Sequence, residues 1–259
     1  MTKTFRIAII APVGTDVYNR ELIESIEPIK PGDVDIDIFN LPEETSHDCI
    51  QGRVDLEHNS YPVVTLAKSL ENDYHGIWVS DFDMCGVEAA REVIDIPIIG
   101  GFSTSAFTAL ALSQRFSIIT ILSSTVGMQR DHITRYGLEA GFASIRSIDC
   151  PVSELTPERI MKEVYEQSLA AVMDDGAQSI LLGCTGFVGV AQEVSERLTH
   201  ELGKYVPVID PNQAGFSFLV SLVRQQLNAS RICYNKMALT GNQRRRIIPA
   251  VRVGNGLRS

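Results

Sequence analysis

The sequence of 259 residues has little that suits a membrane, secreted or metal-binding protein. No apolar run approaches the roughly 20 residues that cross a bilayer, and the amino-terminal apolar stretch is too short for a secretory signal. The five cysteines are odd in number and widely spread, without a Cys-x-x-Cys pair, which argues against disulfides and a zinc site. A Gly-x-Gly-x-x-Gly or P-loop pattern for nucleotides is also missing. We therefore expect a cytoplasmic protein that binds no metal and contacts no membrane.

Acidic residues outnumber basic ones in most of the chain but are missing from its end. The net charge is −9, yet residues 230–259 hold seven Arg or Lys and no Asp or Glu, which leaves about −16 for the rest. A basic tail of this kind binds nucleic acid or a neighbouring subunit, or is simply a solvated terminus. The acidic body argues against nucleic acid as the main ligand. We expect a small-molecule ligand instead.

Apolar, β-branched runs alternate with segments of helical periodicity. The eight runs are Ile7–Ala11, Val34–Phe39, Ile77–Ser80, Ile96–Ile99, Phe116–Leu122, Ser144–Ile148, Ile180–Leu182 and Val206–Ile209. The helical segments are Asn19–Ile26, Tyr61–Leu70, Gly86–Val93, Ser105–Leu112, Met128–Tyr136, Pro157–Asp174 and Phe187–Leu202. Continuous apolar runs indicate strands buried on both faces, as in a parallel sheet covered by helices. The alternation predicts an α/β fold.

The two halves of the chain also resemble each other. Three segment pairs match in the same order: Ile7–Thr15 with Ser117–Thr125, Ile77–Phe82 with Ile180–Thr185, and Ile96–Gly100 with Val206–Asp210. Each match is weak alone, but together they predict two related lobes, each a parallel sheet flanked by helices. We place the first lobe at residues 1–103 plus about 211–230, the second at 104–210, and a basic tail at 231–259.

The repeat aligns Asp81 with Cys184, both just past a buried strand. Open parallel sheets bind ligands at the carboxyl ends of their strands, so two facing lobes would place these side chains on opposite walls of one cleft. A stereoinverting enzyme needs this arrangement, because one group removes a proton from one face of a carbon and the other delivers a proton to the opposite face.

The local sequence of Cys184 permits two interpretations. Gly183 and Gly186 allow close backbone approach, and a helix beginning near Thr185 to Val188 would aim N–H groups at the thiol and favour the thiolate. The alternative is a buried structural cysteine beside a glycine turn. The local pattern by itself does not decide between them.

Several motifs carry a resemblance to a known family. Gly183-Cys-Thr-Gly-Phe187 resembles the Gly-Cys-Ala-Gly-Met signature of hydantoin and allantoin racemases, members of the aspartate/glutamate racemase superfamily. Ile50-Gln-Gly-Arg-Val-Asp55 is similar to the family's Ile-Glu-Gly-x-x-Asp, and Phe82-Asp-Met-Cys-Gly-Val-Glu-Ala-Ala-Arg-Glu92 to its Phe-x-Asp-Pro-Gly-Leu-x-Ala-Ala-Arg-Glu. The blocks Pro97–Gly100, Arg115–Thr120 and Arg135–Leu138 follow the same family order. The resemblance covers roughly residues 5–225 and implies a cofactor-independent enzyme that moves a proton next to a carbonyl or carboxylate.

The departures from the family pattern predict a different substrate. Asp81 stands where these racemases have their first cysteine, and Cys85 falls where they have proline, so we expect Cys85 to be a packing residue. The turn Ala11-Pro-Val-Gly-Thr15 replaces the family's Asn-Pro-Asn-Thr, and Ser103 replaces a glutamate. Asp81 therefore has three possible roles: second acid/base, holder of a substrate group, or cap of the next helix.

Beside the catalytic pair Cys184 and Asp81, we predict a set of substrate contacts from the resemblance and from positions after strands. These are Pro12, Val13, Phe82, Ser103, Thr104, Ser123, Ser124, Thr125, Thr185 and Gly186. His47 and Asp48 precede the segment Gln51–Arg53, which would serve as a lid over the substrate.

The function expected from the sequence is a racemase or isomerase that exchanges a proton at an acidic carbon. Its substrate would be a small hydantoin-like, amino-acid-like or dicarboxylate compound, and the enzyme a homo-oligomer (dimer, tetramer or hexamer), as is common in this group. One alternative is a single-cysteine lyase similar to arylmalonate decarboxylases. The other is a small-molecule-binding homologue that has lost half of the catalytic pair.

Overall fold

Two sheets form the framework of the protein, as the alternating pattern predicts. The structure is a computed structural model that describes residues 4–151, 154, 156–239 and, by their backbone, 251–253. The first sheet contains parallel strands β1 (Phe5–Ala11), β2 (Val34–Asn40), β3 (Gly76–Val79) and β4 (Ile98–Ile99). The second contains parallel strands β5 (Phe116–Thr120), β6 (Phe142–Ser147), β7 (Ser179–Leu182) and β8 (Val208–Ile209). The α/β fold of two parallel sheets is confirmed.

The two sheets have the same strand order, which supports the internal repeat. The first runs β4-β3-β1-β2 and the second β8-β7-β5-β6. The strand before Asp81 is thus the counterpart of the strand before Cys184. One strand breaks the parallel pattern: β9 (Val251–Val253) lies antiparallel along β2 at the outer edge of the first sheet.

Eight helices cover the sheets in the described part of the chain. They are α1 (Asn19–Ile26), α2 (Arg53–Leu70), α3 (Val87–Arg91), α4 (Gly101–Leu112), α5 (Val126–Arg135), α6 (Pro157–Met173), α7 (Ala191–Leu202) and α8 (Pro211–Arg224). All seven predicted helical segments contain a helix, and α8 is additional. The largest boundary error is in α2, which begins eight residues before the predicted Tyr61. Within the described residues, no helix has both the length and the hydropathy needed to cross a membrane.

The apolar core is continuous across the two sheets. One cluster of buried side chains joins Ile10 and Val79 of the first sheet to Ile118 and Leu181 of the second. This shared core fixes the sheets relative to each other, because interiors pack closely and cannot slide without opening voids.

Helix α8 follows the second sheet in sequence but packs on the first. Its Phe216 and Leu219 share a buried cluster with Trp78 of β3. A Cβ atom on Gly215 would lie 2.5 Å from the Trp78 indole nitrogen, so glycine permits the close contact. On this packing we propose that residues 211–224 belong with the first lobe.

The beginning of the basic tail is bound to the first lobe instead of being solvated as a whole. The Arg231 guanidinium donates to the carbonyl oxygens of Arg91 and Ile94, and both Arg231 and Lys236 form ion pairs with Asp95. These contacts use two of the tail's positive charges within the chain. The arginines at 244–246 lie outside the described residues.

Candidate active site

A cavity of about 670 Å³ opens at the carboxyl ends of the strands, between the two sheets. Its floor contains Asp81 and Asp83 after β3 and Cys184 after β7. Its other lining side chains are largely apolar, including Leu22 of α1 and Ile160 of α6. The cleft predicted from the repeat therefore exists, and both predicted catalytic side chains line it.

Asp81 is held in a tight turn by backbone bonds. Its carboxylate Oδ2 accepts the Cys85 N–H at 2.8 Å, and its carbonyl oxygen accepts the Gly101 N–H at 2.9 Å. The turn includes Met84 with φ 61° and Gly86 with φ 67°. A left-handed methionine is uncommon and is tolerated only where the surroundings over-determine it. Asp81 thus accepts a hydrogen bond from a backbone N–H within its own turn and also faces the cavity, whereas the N-cap of α3 is Gly86.

Burial shifts the proton affinity of Asp81 into the physiological range. The side chain is only 9% exposed, and loss of solvation raises its pKa to about 6, while the backbone N–H groups of Cys85 and Asp83 oppose the rise. A carboxyl group with this pKa exchanges a proton readily near neutral pH, as a general acid or base must.

Asp83 is a second buried carboxyl group on the same wall. It is 6% exposed, and burial together with the charge of Asp81 raises its pKa well above the ordinary value. Its Oδ2 lies 3.4 Å from the Gln129 side-chain amide. Its Oδ1 has no hydrogen-bond partner among the described residues.

The Cys184 turn is shaped by glycine. A Cβ atom on Gly183 would lie 2.7 Å from Ile118 Cγ2 and 2.9 Å from the Ile119 carbonyl oxygen, so no larger residue fits beside β5. The thiol Sγ accepts the Gly186 N–H at 3.3 Å. The helix expected near Thr185 to Val188 is wrong, since α7 begins at Ala191. The thiol therefore receives one turn amide and does not lie at a helix N-terminus.

This half-buried environment disfavours ionisation of the Cys184 thiol. Burial raises the pKa of Cys184 to about 12, and the carboxylates of Asp81 and Asp83 add to the rise against the Gly186 amide. The interpretation of a stabilised thiolate is not supported, because one amide does not offset lost solvation and two nearby acids. The thiol is therefore poised to give a proton.

Hydrogen bonds join the two walls below the cavity. The Thr185 hydroxyl donates to the Ser80 carbonyl oxygen at 3.3 Å, one residue before Asp81. Gln129 of α5 is fully buried, and its amide donates to the Gly183 carbonyl oxygen at 3.0 Å as well as facing Asp83. The Asp81 and Cys184 turns are therefore held at a fixed separation.

The predicted substrate contacts divide into two groups. Residues in the cavity lining are Pro12, Val13, Phe82, Thr125, Thr185 and Gly186. The other predicted contacts, Ser103, Thr104, Ser123 and Ser124, are not among the described lining residues.

The second group has other hydrogen-bond partners or lies buried. The Thr104 hydroxyl donates to Gly100 and Gly101 at the start of α4, and neighbouring Ser103 is buried in the same helix. The Ser123 N–H donates to Asp149. The Ser124 hydroxyl donates to the Gln51 carbonyl oxygen at 2.6 Å. The positions of these four residues do not support the prediction that they bind the substrate directly.

The segment predicted as a lid, Gln51–Arg53, is not among the described lining residues, but the two residues before it are. Cys49 and Ile50 are lining residues, and His47 is tied to Asp55 of α2 at 2.6 Å. The Ser124 bond to Gln51 fastens this segment to the second lobe. By contrast Cys85 is buried outside the lining, with its thiol donating to the Leu56 carbonyl oxygen at 3.5 Å.

Sequence reasoning missed several polar residues of the site. Asp83, Tyr18 and Asp210 line the cavity, and Gln129 lies beneath it. The Asp-Phe-Asp order after β3 was a usable signal for Asp83. No signal in the sequence points to Gln129, because its contacts with the Cys184 turn and Asp83 depend on where α5 packs. Among the described lining residues there are five carboxyl groups and no Lys, Arg or His.

The comparison with known families decides the class of the protein. The family model described as Asp/Glu/Hydantoin racemase matches residues 7–219. The chain belongs to this family. It is therefore a racemase-type isomerase by descent, and the recognition made from its motifs is confirmed.

Individual relatives agree with the family. The hydantoin racemase of Rhizobium meliloti is 31% identical over 231 residues, covering 87% of this chain and 92% of that protein. The structure of an allantoin racemase from Klebsiella pneumoniae matches with a TM-score of 0.79 and 26% identity, covering 92% of this chain and 97% of that one. An arylmalonate decarboxylase variant matches with a TM-score of 0.60 and 17% identity, over 85% and 93% of the two chains. At this identity the last likeness shows the fold alone.

In the described part of the chain, no group of three or more His, Cys, Asp or Glu side chains is arranged to hold a metal ion.

Proposed function

We propose that the protein is a cofactor-independent racemase in which Asp81 and Cys184 exchange protons on opposite faces of one substrate carbon. The observation that carries this proposal is that Asp81 and Cys184, at the ends of equivalent strands, line one cavity. Burial raises the pKa of Asp81 to about 6 and that of Cys184 to about 12. One is fit to accept a proton and the other to give one, at the same pH.

The proton balance of one turnover follows from these states. The Asp81 carboxylate takes the proton from the substrate C–H, and the electron pair moves onto the adjacent carbonyl. The Cys184 thiol then gives its proton to the opposite face, so the enzyme ends with a protonated Asp81 and a Cys184 thiolate. This form converts the opposite enantiomer by the reverse steps, or it returns to rest through solvent. Because the Asp81 charge raises the pKa of Cys184, protonation of Asp81 makes the thiolate easier to form.

The cavity favours a neutral substrate over a dicarboxylate. The carboxyl groups of Glu21, Glu24, Asp81, Asp83 and Asp210 line it, and its described lining has no cationic side chain to neutralise a substrate carboxylate. The negative charge of the lining would therefore repel the carboxylates of a dicarboxylate substrate. A substituted hydantoin ring is neutral and has a C–H acidified by its carbonyl. The named activity of the Rhizobium meliloti relative points to the same class. The volume and apolar lining leave room for an apolar ring substituent.

Solvent exchange of the separate enantiomers tests the assignment. In deuterium oxide the native enzyme should incorporate α-deuterium into both enantiomers of benzylhydantoin as optical rotation is lost. The variants Cys184→Ser and Asp81→Asn should each lose about 10²–10⁴-fold in racemisation, the usual contribution of a positioned acid or base. Each variant should still exchange the α-proton of one enantiomer for deuterium slowly, and the two variants should prefer opposite enantiomers.

Cys233→Ser is the matched control, since Cys233 is an exposed thiol outside the cavity lining. It should racemise at the native rate. Exchange of the same enantiomer by both catalytic variants would overturn the two-wall assignment. Release of carbon dioxide from an arylmalonate without racemisation of hydantoins would make the enzyme a lyase.

A further inference from the structure

Asp81 and Asp83 lie two residues apart on one cavity wall but are hydrogen-bonded very differently. The Asp81 carboxylate accepts a short backbone amide bond at 2.8 Å from Cys85. Asp83 has a long contact of 3.4 Å to the Gln129 amide at one oxygen and no hydrogen-bond partner among the described residues at the other. More than nine-tenths of each residue is buried. The structure therefore stabilises a negative charge on the first and leaves the second poorly solvated.

Two buried carboxyl groups this close do not both ionise at neutral pH. Each charge opposes the other, and the proton stays on the group whose ionised form has fewer hydrogen bonds. The pKa shifts of the two groups agree with these hydrogen bonds. The pKa of Asp81 rises only to about 6, whereas that of Asp83 rises well above its ordinary value, in part through the charge of Asp81.

We propose that Asp83 is a positioning residue that stays protonated during turnover and keeps the single negative charge of the cavity floor on Asp81. This inference rests on the proposed function, in which Asp81 is the base. Asp83 acts only by keeping the negative charge on Asp81, and it does not contact the reacting carbon. If Asp83 ionised instead, Asp81 would hold its proton at neutral pH and the base would be lost.

The charged and titratable groups around Asp83 support a neutral carboxyl there. They come from its own turn, from α2, from α5 and from the Cys184 turn: Asp81, Cys85, Arg53, Asp131, His132 and Cys184. Arg53 favours the Asp83 charge, but it is a half-exposed residue paired with Asp131 at 2.5 Å. Burial lowers the pKa of His132, so the nearest possible cation, 3.8 Å from the free carboxyl oxygen, is neutral.

Gln129 adds a physical link between this proton and the opposite wall. Its side-chain amide donates to the Thr120 hydroxyl at 2.9 Å and to the Gly183 carbonyl oxygen at 3.0 Å, next to Cys184. Because these shorter bonds use both amide hydrogens, Gln129 has no further N–H to donate in a strong hydrogen bond to an Asp83 carboxylate. The same contacts that fix the Cys184 turn therefore leave Asp83 without a strong donor.

Carboxyl-carbon NMR of the enzyme labelled with ¹³C-aspartate tests the proposal without any activity measurement. At pH 7.5 the native spectrum should contain one buried carboxyl resonance in its protonated position that is lost in Asp83→Asn and kept in Asp81→Asn. In Asp81→Asn this resonance should titrate at a pH at least about one unit lower, because the repelling charge is gone. A carboxylate resonance for Asp83 at pH 7.5 would overturn the proposal.

The pH dependence of kcat/KM provides the functional arm. In the native enzyme kcat/KM should rise through pH about 6 as Asp81 ionises. Asp83→Asn replaces a neutral acid by a neutral amide, so this limb of the pH profile should stay within about 0.3 pH units of its native position, whatever the height of the plateau. A downward shift of a full unit would mean that Asp83 carries charge in the native enzyme, against the proposal.

The two arms separate the possible failures. If hydantoins are not substrates, the NMR titrations still report which carboxyl group keeps the proton. If Asp83→Asn does not fold, the native and Asp81→Asn spectra decide alone, because a buried protonated carboxyl whose titration depends on Asp81 is either present or missing.

Discussion

The two walls of the cavity are formed by turns at equivalent strand ends, but they shift the ionisation of their side chains to very different pH ranges. The turn after β3 gives Asp81 a backbone amide at 2.8 Å and a pKa of about 6. The turn after β7 gives Cys184 a longer amide contact of 3.3 Å and a pKa of about 12. In the proposed mechanism the first wall supplies the base and the second supplies the acid. Equivalent backbone positions do not impose equivalent chemistry, because the side chain, its burial and its neighbours set the proton affinity.

The asymmetry also links the walls. A negative Asp81 keeps Cys184 protonated, and a protonated Asp81 eases its ionisation. The proposed racemisation uses this link, because inversion at a single carbon requires one group to take a proton and the other to give one.

Apart from the loss of racemisation, the largest effect expected to sharpen this comparison is on stability. Folded Asp81 holds its proton more tightly than the unfolded chain does, with a pKa of about 6 against 3.8. The wild type should therefore lose stability as pH rises from about 4 through about 6. The neutral amide in Asp81→Asn leaves no charge to bury, so this variant should be more stable than wild type by on the order of 2–3 kcal/mol at pH 8 and about equal at pH 4.

Chemical denaturation of wild type and Asp81→Asn at the two pH values measures this difference. Glu166→Gln, at an exposed carboxyl of α6, is a control for general charge removal. A variant less stable than wild type at both pH values would show that the Cys85 amide bond, and not the buried charge, dominates at this position.

A smaller effect concerns the reactivity of the Cys184 thiol. Only the thiolate is alkylated, and burial with two acids opposes its formation. At pH 7.5 iodoacetamide should modify Cys184 at least about tenfold more slowly than the exposed Cys233, and Asp81→Asn should speed the reaction at Cys184 while leaving that at Cys233 unchanged. Peptide mass mapping over time measures both rates. Faster labelling of Cys184 than of Cys233 in the wild type would contradict the protonated thiol.

The smallest effect tests the fastening of the lid segment between the lobes. Ser124→Ala removes the hydroxyl that donates to Gln51 and should raise KM by about two- to fivefold with kcat nearly unchanged, since one exposed hydrogen bond contributes about 1 kcal/mol. Ser123→Ala is the matched control, because the Ser123 bond to Asp149 comes from the backbone N–H, which the substitution keeps, and does not involve the lid segment. Steady-state kinetics on one hydantoin enantiomer compares the two. Loss of kcat in Ser124→Ala would restore the predicted direct role at the substrate.

The elements that the sequence predicted well are those whose signal is local. All eight predicted strands exist, because a continuous apolar, β-branched run has few alternatives to a buried strand. Helix α1 was placed at its true bounds, Asn19–Ile26. Helix α7 was placed four residues too early, since the stretch after Cys184 has helical periodicity but contains Gly186 and Gly189, and the latter has φ 77°. Glycine in a left-handed conformation interrupts a helix whatever the apolar spacing.

The candidate site shows the same division. Cys184 and Asp81 were identified from motif and repeat, and both line the cavity. The serines at 123 and 124 follow a strand as binding residues do, yet their hydrogen bonds face other partners. Which way a turn side chain points depends on the packing of distant segments, in this case residues 46–52 against the turn before α5, and no local pattern encodes it.

The sequence by itself determined the α/β class, the repeat of two sheets and the identity of the two residues at matching strand ends. These follow from periodicity and order, which are properties of the chain. Only the tertiary structure decided the protonation of Cys184, the contrast between Asp81 and Asp83, and the bridging place of Gln129. The physical reason is that proton affinity depends on burial and on the neighbouring hydrogen bonds and charges, which are brought together by folding from segments up to about a hundred residues apart.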